Sequence, residues 1–393
     1  MANKPPSTNY RLPTTVSQLP TPNKVAIVCD WLTNLGGGER VVLALHELFP
    51  DAPIYTSAYN PKGFGMDKFA NADIRTTFIQ HLPLAKTKHQ LFSVLRAFAF
   101  PRLDFSQYDV VISASGAEAK GIRTERKLDG TKPLHINYCH SPTHYYWVRP
   151  DEYLNADTMG VMGKVLRLGL RLLLKPMRRW DYRAAQRPDI MIANSNLTKR
   201  RIKQFYDRET KVIFPPVDIE RFTPPKNPPR RRGFVSLGRQ VHYMRRDLAV
   251  KACSELGLLL RVIGRGPENE YLRSIAGPTI EFYEDLTDKE VAEALWHAEG
   301  LISCGIEDFG ITAVEALAAG CPVIALKGGG AEDIVKPGKH GEFFEEQTTK
   351  SLIKTLRQFD SSQYNPADLQ KRAKRFSADN FKRQFADLLE TPS

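Results

Sequence analysis

Short apolar runs alternate along this chain with longer stretches whose apolar residues recur every three or four positions. Residues 24–30 (KVAIVCD) are the first run and read as a buried parallel strand. Residues 39–49 follow as a helix, with Val41, Val42, Leu45 and Leu48 on one face. Further strands are expected at 108–113, 134–138 and 190–193. The proline-rich stretch 214–232 suits neither a helix nor a central strand and reads as a boundary. The alternation then restarts. Strands are expected at 233–237, 258–263, 300–303 and 322–325, with helices at 247–256, 290–298 and 311–319. A helical tail covers 366–389.

Strand–helix alternation of this kind predicts an α/β fold with parallel, doubly wound sheets, here in two domains. The expected division is a disordered lead-in at 1–23, an N-terminal domain at 24–218, a linker at 219–232 and a C-terminal domain at 233–375. The helix at 376–393 is expected to pack back toward the N-terminal domain. Such domains bind ligands at the carboxyl ends of their strands, so the strand-to-helix loops carry the candidate chemistry.

Length and composition agree with this division. A chain of 393 residues exceeds one ordinary core, and 42% hydrophobic with 25% charged residues is a globular balance. The five cysteines form no CxxC pair, which argues against a zinc site or disulfide framework and for a reducing, cytoplasmic compartment. The lead-in has no apolar core and reads as neither signal peptide nor anchor. The net charge of +12 favours phosphates or anionic lipid as partners. No nucleic-acid motif is present, and aromatics are not interleaved with the basic runs.

Five loops stand out. In 304–324 (CGIEDFGITAVEALAAGCPVI) a strand leads to Glu307, and a helix starts near Gly310 and carries Glu315. The backbone N–H groups of Phe309, Gly310 and Ile311 would head that helix, a setting that favours phosphate or sugar oxygens. In 35–40 (LGGGER), Gly37 and Gly38 allow a ligand to approach the backbone closely. His140, in 138–142 (YCHSP), ends a strand and can bond a sugar hydroxyl or phosphate; ordering a turn before Pro142 is its other use. Residues 238–247 (GRQVHYMRRD) hold Arg239, Arg245 and Arg246, and guanidinium groups grip phosphate well. Gly264, in 262–267 (VIGRGP), suits a tight loop after a strand.

The spacing Glu307-x7-Glu315 in this context resembles the retaining glycosyltransferases of family 4, and the likeness covers nearly everything from Lys24 onward. The resemblance implies the GT-B architecture, two facing Rossmann-like domains with a cleft between them. It implies donor-sugar contact for Glu307 and ribose contact for Glu315. It also implies a place near the donor phosphates and the acceptor for Gly37 and Gly38, a place near the nucleotide for Gly264, and diphosphate contact for Arg239. Three positions depart from the family pattern, Met244, His144 and Glu284, the last standing where relatives commonly have a glycine. Met244 stands where relatives carry a second phosphate-neutralising lysine, a role that falls to Arg245 or Arg246, with Arg245 chosen. His144 replaces an arginine.

The implied function is metal-independent, retaining transfer of a hexose, with GDP-mannose as the expected donor. The acceptor would be a hydroxyl of a glycan or lipid-linked glycan. No cofactor beyond the nucleotide sugar is implied. A catalytically weak sugar-nucleotide-binding protein and a GT-B epimerase are the alternatives. Lys164, Arg167, Arg171, Lys175 and Arg178 recur at helical spacing, so 161–180 is a candidate for contact with an anionic membrane surface. Pro176 is expected to kink or end that helix.

Overall fold

A computed structural model of the chain describes residues 24–125, 130–155, 160–226 and 230–390; side chains of 90, 153–170 and 390 are not described. The expected lead-in at 1–23, and the side chains of Lys164 and Arg167, therefore lie outside the described set. The chain divides into two compact units. One holds residues up to Asn194, Thr198–Ile213 and the chain from Lys382; the other holds Ser195–Leu197 and Phe214–Phe381.

The first unit has seven parallel strands. They are β1 (Val25–Cys29), β2 (Ile54–Thr56), β3 (Ile74–Thr76), β4 (Val110–Ser115), β5 (Leu134–Cys139), β6 (Ile190–Ala193) and β7 (Lys211–Val212). Their order is β3-β2-β1-β4-β5-β6-β7. All five residues of β1 are buried, as a central parallel strand requires, and Val25 to Cys29 register with Val110 to Ala114. Four helices follow in order: α1 (Gly37–Leu48), α2 (Ser93–Ala99), α3 (Pro150–Asn155) and α4 (Gly160–Ala185). The helix α5 (Asn196–Tyr206) comes after β6. The helix α4 runs through Pro176 instead of ending there, and Pro176 is exposed. Strands β2 and β3 escaped the sequence pattern because three residues are too few to show a period.

The second unit has six parallel strands: β8 (Phe234–Leu237), β9 (Leu260–Ile263), β10 (Ile280–Tyr283), β11 (Gly300–Ser303), β12 (Val323–Leu326) and β13 (Gly341–Phe344). Their order is β10-β9-β8-β11-β12-β13, so β8 and β11 are adjacent at the point where the order reverses. Between them run α6 (Arg246–Leu256), α7 (Asn269–Ser274), α8 (Asp288–Trp296) and α9 (Ile311–Ala318). Thr287 and Glu290 cap α8 reciprocally, Thr287 Oγ1 accepting from the Glu290 N–H and Glu290 Oε2 from the Thr287 N–H.

The stretch expected as a linker is anchored at separate points, while Thr223, Pro225, Lys226 and Arg230 are exposed. Phe222 is fully buried, Val217 bridges to Ser377, and the Arg232 N–H donates to the His297 carbonyl at 2.7 Å. The expected tail helix is two helices, Pro366–Ala373 and Ala378–Glu390. Lys382, in the latter, pairs with Glu47 at 2.5 Å.

Candidate active site

In the first unit the chemistry gathers where β1, β4 and β5 end. Asp30 follows β1 and is buried. Its carboxylate accepts from the N–H groups of Gly116 (2.8 Å), Ala117 (3.0 Å) and Ala119 (2.8 Å), and from Ser115 Oγ at 3.1 Å. One side chain thus pins the whole turn after β4, satisfying donors that would otherwise lack partners. His140 sits beside this turn, directly after β5. Its N–H donates to the Ser115 carbonyl, its own carbonyl accepts from Asn194 Nδ2 at 2.8 Å, and its ring meets Tyr138 edge-on at 5.5 Å.

Gly37 and Gly38 form the first turn of α1, where the sequence pattern had suggested a loop before the helix. Their place brings them to the histidine: a Cβ on Gly38 would lie 3.3 Å from His140 Nε2. Glu39 Oε2 accepts from the Gly36 N–H at 3.0 Å and closes the turn. The structure therefore unites Gly38 and His140, two loops that the sequence could only list separately.

In the second unit the candidates cluster at the ends of β8 and β11. Glu307 follows β11, and Ser303 Oγ donates to its Oε1 at 3.2 Å. Gly310 takes φ +97° as the residue capping α9, a left-handed conformation that favours glycine. Ile311 then begins the helix, whose first N–H groups have no acceptor within it. The side chain of Phe309 is core: it is buried and packs on Phe214 and Phe376 at 5.8 and 5.6 Å, which leaves only its backbone to face a ligand. Glu315 is buried on α9, 3.6 Å from Arg221, which also pairs with Asp288 at 2.6 Å.

Gly264 has φ +129°, and a Cβ there would fall 2.2 Å from the Gly238 carbonyl oxygen. The glycine lets the loop after β9 lie against the loop after β8, a packing reason that stands apart from any ligand. Gln240 stitches the same loops, donating to the Gly264 carbonyl at 2.7 Å.

The arginines of 238–247 separate. Arg239 is exposed and reaches Tyr243 at 3.1 Å. Arg245 is left-handed at φ +49° and turns to Asp247, its Nε and Nη2 at 2.9 and 3.2 Å from the two carboxylate oxygens. That pairing raises the Arg245 pKa. Arg246, not Arg245, goes inward. It is buried, and burial lowers its pKa against the attraction of Glu307. Met244, Arg246, Ser303, Glu307 and Thr312 line one small pocket, with about 10 Å³ of free space, roughly one water. Two adjacent arginines look interchangeable in sequence; the left-handed turn at 245 sends their side chains to different places.

Among the described residues, no three His, Cys, Asp or Glu side chains converge as metal ligands. The five cysteines form no disulfide and are buried, and burial pushes the thiols of Cys253, Cys304 and Cys321 up to about 12. No described helix is long and apolar enough to cross a membrane.

Residues 218–376 match the family model of glycosyl transferases group 1, and residues 35–221 match that of glycosyltransferase family 4. A curated relative, the putative colanic acid biosynthesis glycosyltransferase WcaL of Salmonella typhimurium, is 26% identical over 237 residues, 52% of this chain and 57% of the relative. The chain thus spans little more than half the length of that relative. Among solved structures, Anabaena HepE in complex with UDP and glucose aligns at TM-score 0.63 and 15% identity, over 94% of this chain and 99% of HepE. WaaG, a glycosyltransferase involved in lipopolysaccharide biosynthesis, aligns at TM-score 0.62 and 14% identity, over 93% and 99% of the two chains. Two family models of glycosyl transferases thus match this chain, each over less than half of its length, and its two parallel-sheet units have the GT-B fold of the solved glycosyltransferases.

Proposed function

We propose that this protein transfers a hexose from a nucleotide sugar, GDP-mannose, to a hydroxyl of a glycan or lipid-linked glycan. The transfer retains anomeric configuration and needs no metal ion. One observation carries the reading. Glu307 stands at the end of β11, fixed by Ser303, between the buried Arg246 and the glycine-capped start of α9. A carboxylate there can accept bonds from sugar hydroxyls, while helix N–H groups and arginines offset diphosphate charge as it develops. His140 beside Gly38 is the polar group that the first unit's own strand ends offer to a sugar or phosphate oxygen. Colanic acid and lipopolysaccharide, named for WcaL and WaaG, are glycans of the proposed acceptor class. HepE, solved with UDP and glucose, makes UDP-glucose the donor to test beside GDP-mannose.

The test is release of nucleoside diphosphate from GDP-mannose, UDP-glucose and UDP-GlcNAc, with mixed glycan acceptors. We expect release from one donor, with Glu307→Gln at least about 100-fold slower. Proton NMR of the product reads retention directly. Binding of a donor without turnover would support the second reading, a sugar-nucleotide-binding protein, which Met244 in the Glu307 pocket favours.

An exposed apolar and basic face of the first unit is the ground for proposing a lipid-linked acceptor at the cytoplasmic face. Leu91, Leu95 and Phe98 form an outward stripe on α2 and the turn before it, 43%, 38% and 56% exposed. The helix α2 packs through Val94 and Ala97 on Leu174 and Met177 of α4, where Leu172 and Leu173 are also exposed. Residues 74–103 contain no acidic residue. Arg171 and Lys175 point to solvent as the helical stripe predicts. Arg178 does not: its Nε donates to the Tyr146 carbonyl at 2.6 Å and its guanidinium lies over Trp147.

A further inference from the structure

We propose that Arg246 is a positioning residue for Glu307, orienting its carboxylate across the pocket that the two side chains share. The proposal rests on the reading of Glu307 as the donor-sugar partner.

The argument starts from where the charge sits. Arg246 is the first residue of α6, the end of a helix at which the dipole disfavours a cation. It is also 7% exposed, so it lacks the water that would ordinarily compensate. A buried cation against a dipole needs an anion. Its neighbour Asp247 is engaged by Arg245 at 2.9 Å and by Lys251 at 3.5 Å. The strongest attraction acting on Arg246 comes instead from Glu307.

The guanidinium is held rigidly. Nε donates to the Arg239 carbonyl at 3.1 Å, Nη1 to Ser236 Oγ at 2.7 Å and Nη2 to the Leu237 carbonyl at 2.6 Å. These partners belong to the end of β8 and the loop after it, beside β11. Gly238 clears the way, since a Cβ there would lie 2.9 Å from Nη2. The three anchors are neutral and orient the fork without matching its charge. Glu307 supplies that charge across the pocket the two side chains share, while Ser303 fixes Glu307 from its own strand. A carboxylate placed between an oriented hydroxyl and an oriented guanidinium keeps one geometry. Met244 lines the same pocket with an uncharged thioether.

The test compares binding of GDP and GDP-mannose, and in parallel UDP and UDP-glucose, by calorimetry on the full chain. The gain in affinity from the sugar reads Glu307; the nucleotide alone reads the rest of the site. Glu307→Gln is expected to erase that gain. Arg246→Met is expected to lower it about tenfold while nucleotide affinity stays within about threefold. Arg246→Lys should keep most of the gain, and Met244→Lys placed in the Arg246→Met background should restore part of it. If Arg246→Met does not fold, Arg246→Gln and Arg246→Lys are compared instead. A gain that survives in Arg246→Met overturns the proposal. So does an equal loss for nucleotide and sugar nucleotide with a lowered melting temperature that Arg246→Lys does not rescue, since that describes a loop anchor only. If wild type binds neither pair, or Glu307→Gln changes nothing, the reading of Glu307 itself fails and Arg246 loses its role with it.

Discussion

The interiors of the two units solve the same packing problem with different chemistry. The second unit is held by two broad apolar clusters, one built around Leu301, Leu317 and Phe376 and the other around Leu260, Ile324 and Leu352. The first unit threads charge through its middle. Arg96 and Glu118 pair at 2.7 Å and Lys120 and Asp181 at 2.6 Å, all with side chains at most 1% exposed. Glu118 also accepts from Tyr145 and Tyr146, and Asp181 from Thr143, Trp147 and Tyr206. Glu118 and Lys120 both belong to the turn after β4 that Asp30 pins beside His140. Buried charge in the first unit is thus spent internally, on fixing the floor of a candidate site. In the second unit the buried Arg246 points its charge at the candidate site itself.

The largest effect expected from this contrast is on stability. Arg96→Met removes the cation that opposes the burial-raised pKa of Glu118, so the buried carboxyl is left unmatched or must take up a proton, at a cost of about 3–5 kcal/mol. Urea unfolding followed by tryptophan fluorescence reads it well, because Trp31, Trp147 and Trp180 all lie in the first unit. Arg96→Met with Glu118→Gln should recover a good part of the loss. A single-variant cost under about 1 kcal/mol would mean that the pair is not a structural tie and that the contrast is mistaken.

The second unit breaks by crowding instead. Gly264→Ala puts a methyl 2.2 Å from the Gly238 carbonyl oxygen at a φ of +129°, and about 2–3 kcal/mol of stability should go. Since Gln240 and Gly238 hold the same loops, donor binding should weaken along with the melting temperature. Unchanged melting would show that the loop after β9 can move away freely.

How much of this could be read from the sequence follows the same division. The apolar strands β1, β4, β5, β8, β11 and β12 were legible, because burial on both faces writes itself as an unbroken apolar run. Glu307, Gly310 and Glu315 were legible because their spacing is local. What stayed hidden was every role decided by a partner distant in sequence. Asp30 finds its donors 85 to 89 residues away. Arg96, Glu118, Lys120 and Asp181 look like surface charges until the fold pairs them. The choice between Arg245 and Arg246 was set by one backbone angle, which composition cannot report.

An acid-induced loss should also localise to the first unit. His135 is fully buried beside Ser113, and burial, with Lys132, Arg208 and Arg187 nearby, lowers its pKa from 6.5 to about 3. The folded state keeps it neutral, while the unfolded chain takes up a proton below about 6.5. Its contribution is therefore complete above pH 6.5 and falls by about 1.4 kcal/mol per pH unit on acidification, until the folded form also protonates near 3. At pH 5 the loss is about 2 kcal/mol by the same slope. His135→Leu should flatten the acid limb of a stability profile; an unchanged slope would assign it to other groups.

The smallest effect on the fold should come from the exposed face of α2 and α4, and there the contrast inverts. Leu172 is 71% exposed, so Leu172→Ser removes almost no buried contact and should change stability by less than about 0.5 kcal/mol. Lys175→Gln should be equally silent, since the side chain is exposed. If this face rests on anionic lipid, both changes acquire a cost that only a membrane reveals. Lys175 near a negatively charged surface contributes about 1 kcal/mol, roughly fivefold in partition onto phosphatidylglycerol-containing vesicles. Leu172 inserted among acyl chains contributes a comparable amount. Salt separates the two: it should weaken the Lys175 contribution and spare that of Leu172. Sedimentation with neutral and anionic vesicles at low and high salt reads all of this. Equal binding of wild type and both variants would leave the exposed apolar stripe without a lipid partner. Loss of the salt-sensitive part in Lys175→Gln alone would show that the basic and apolar residues of α4 act on the membrane as separable contacts.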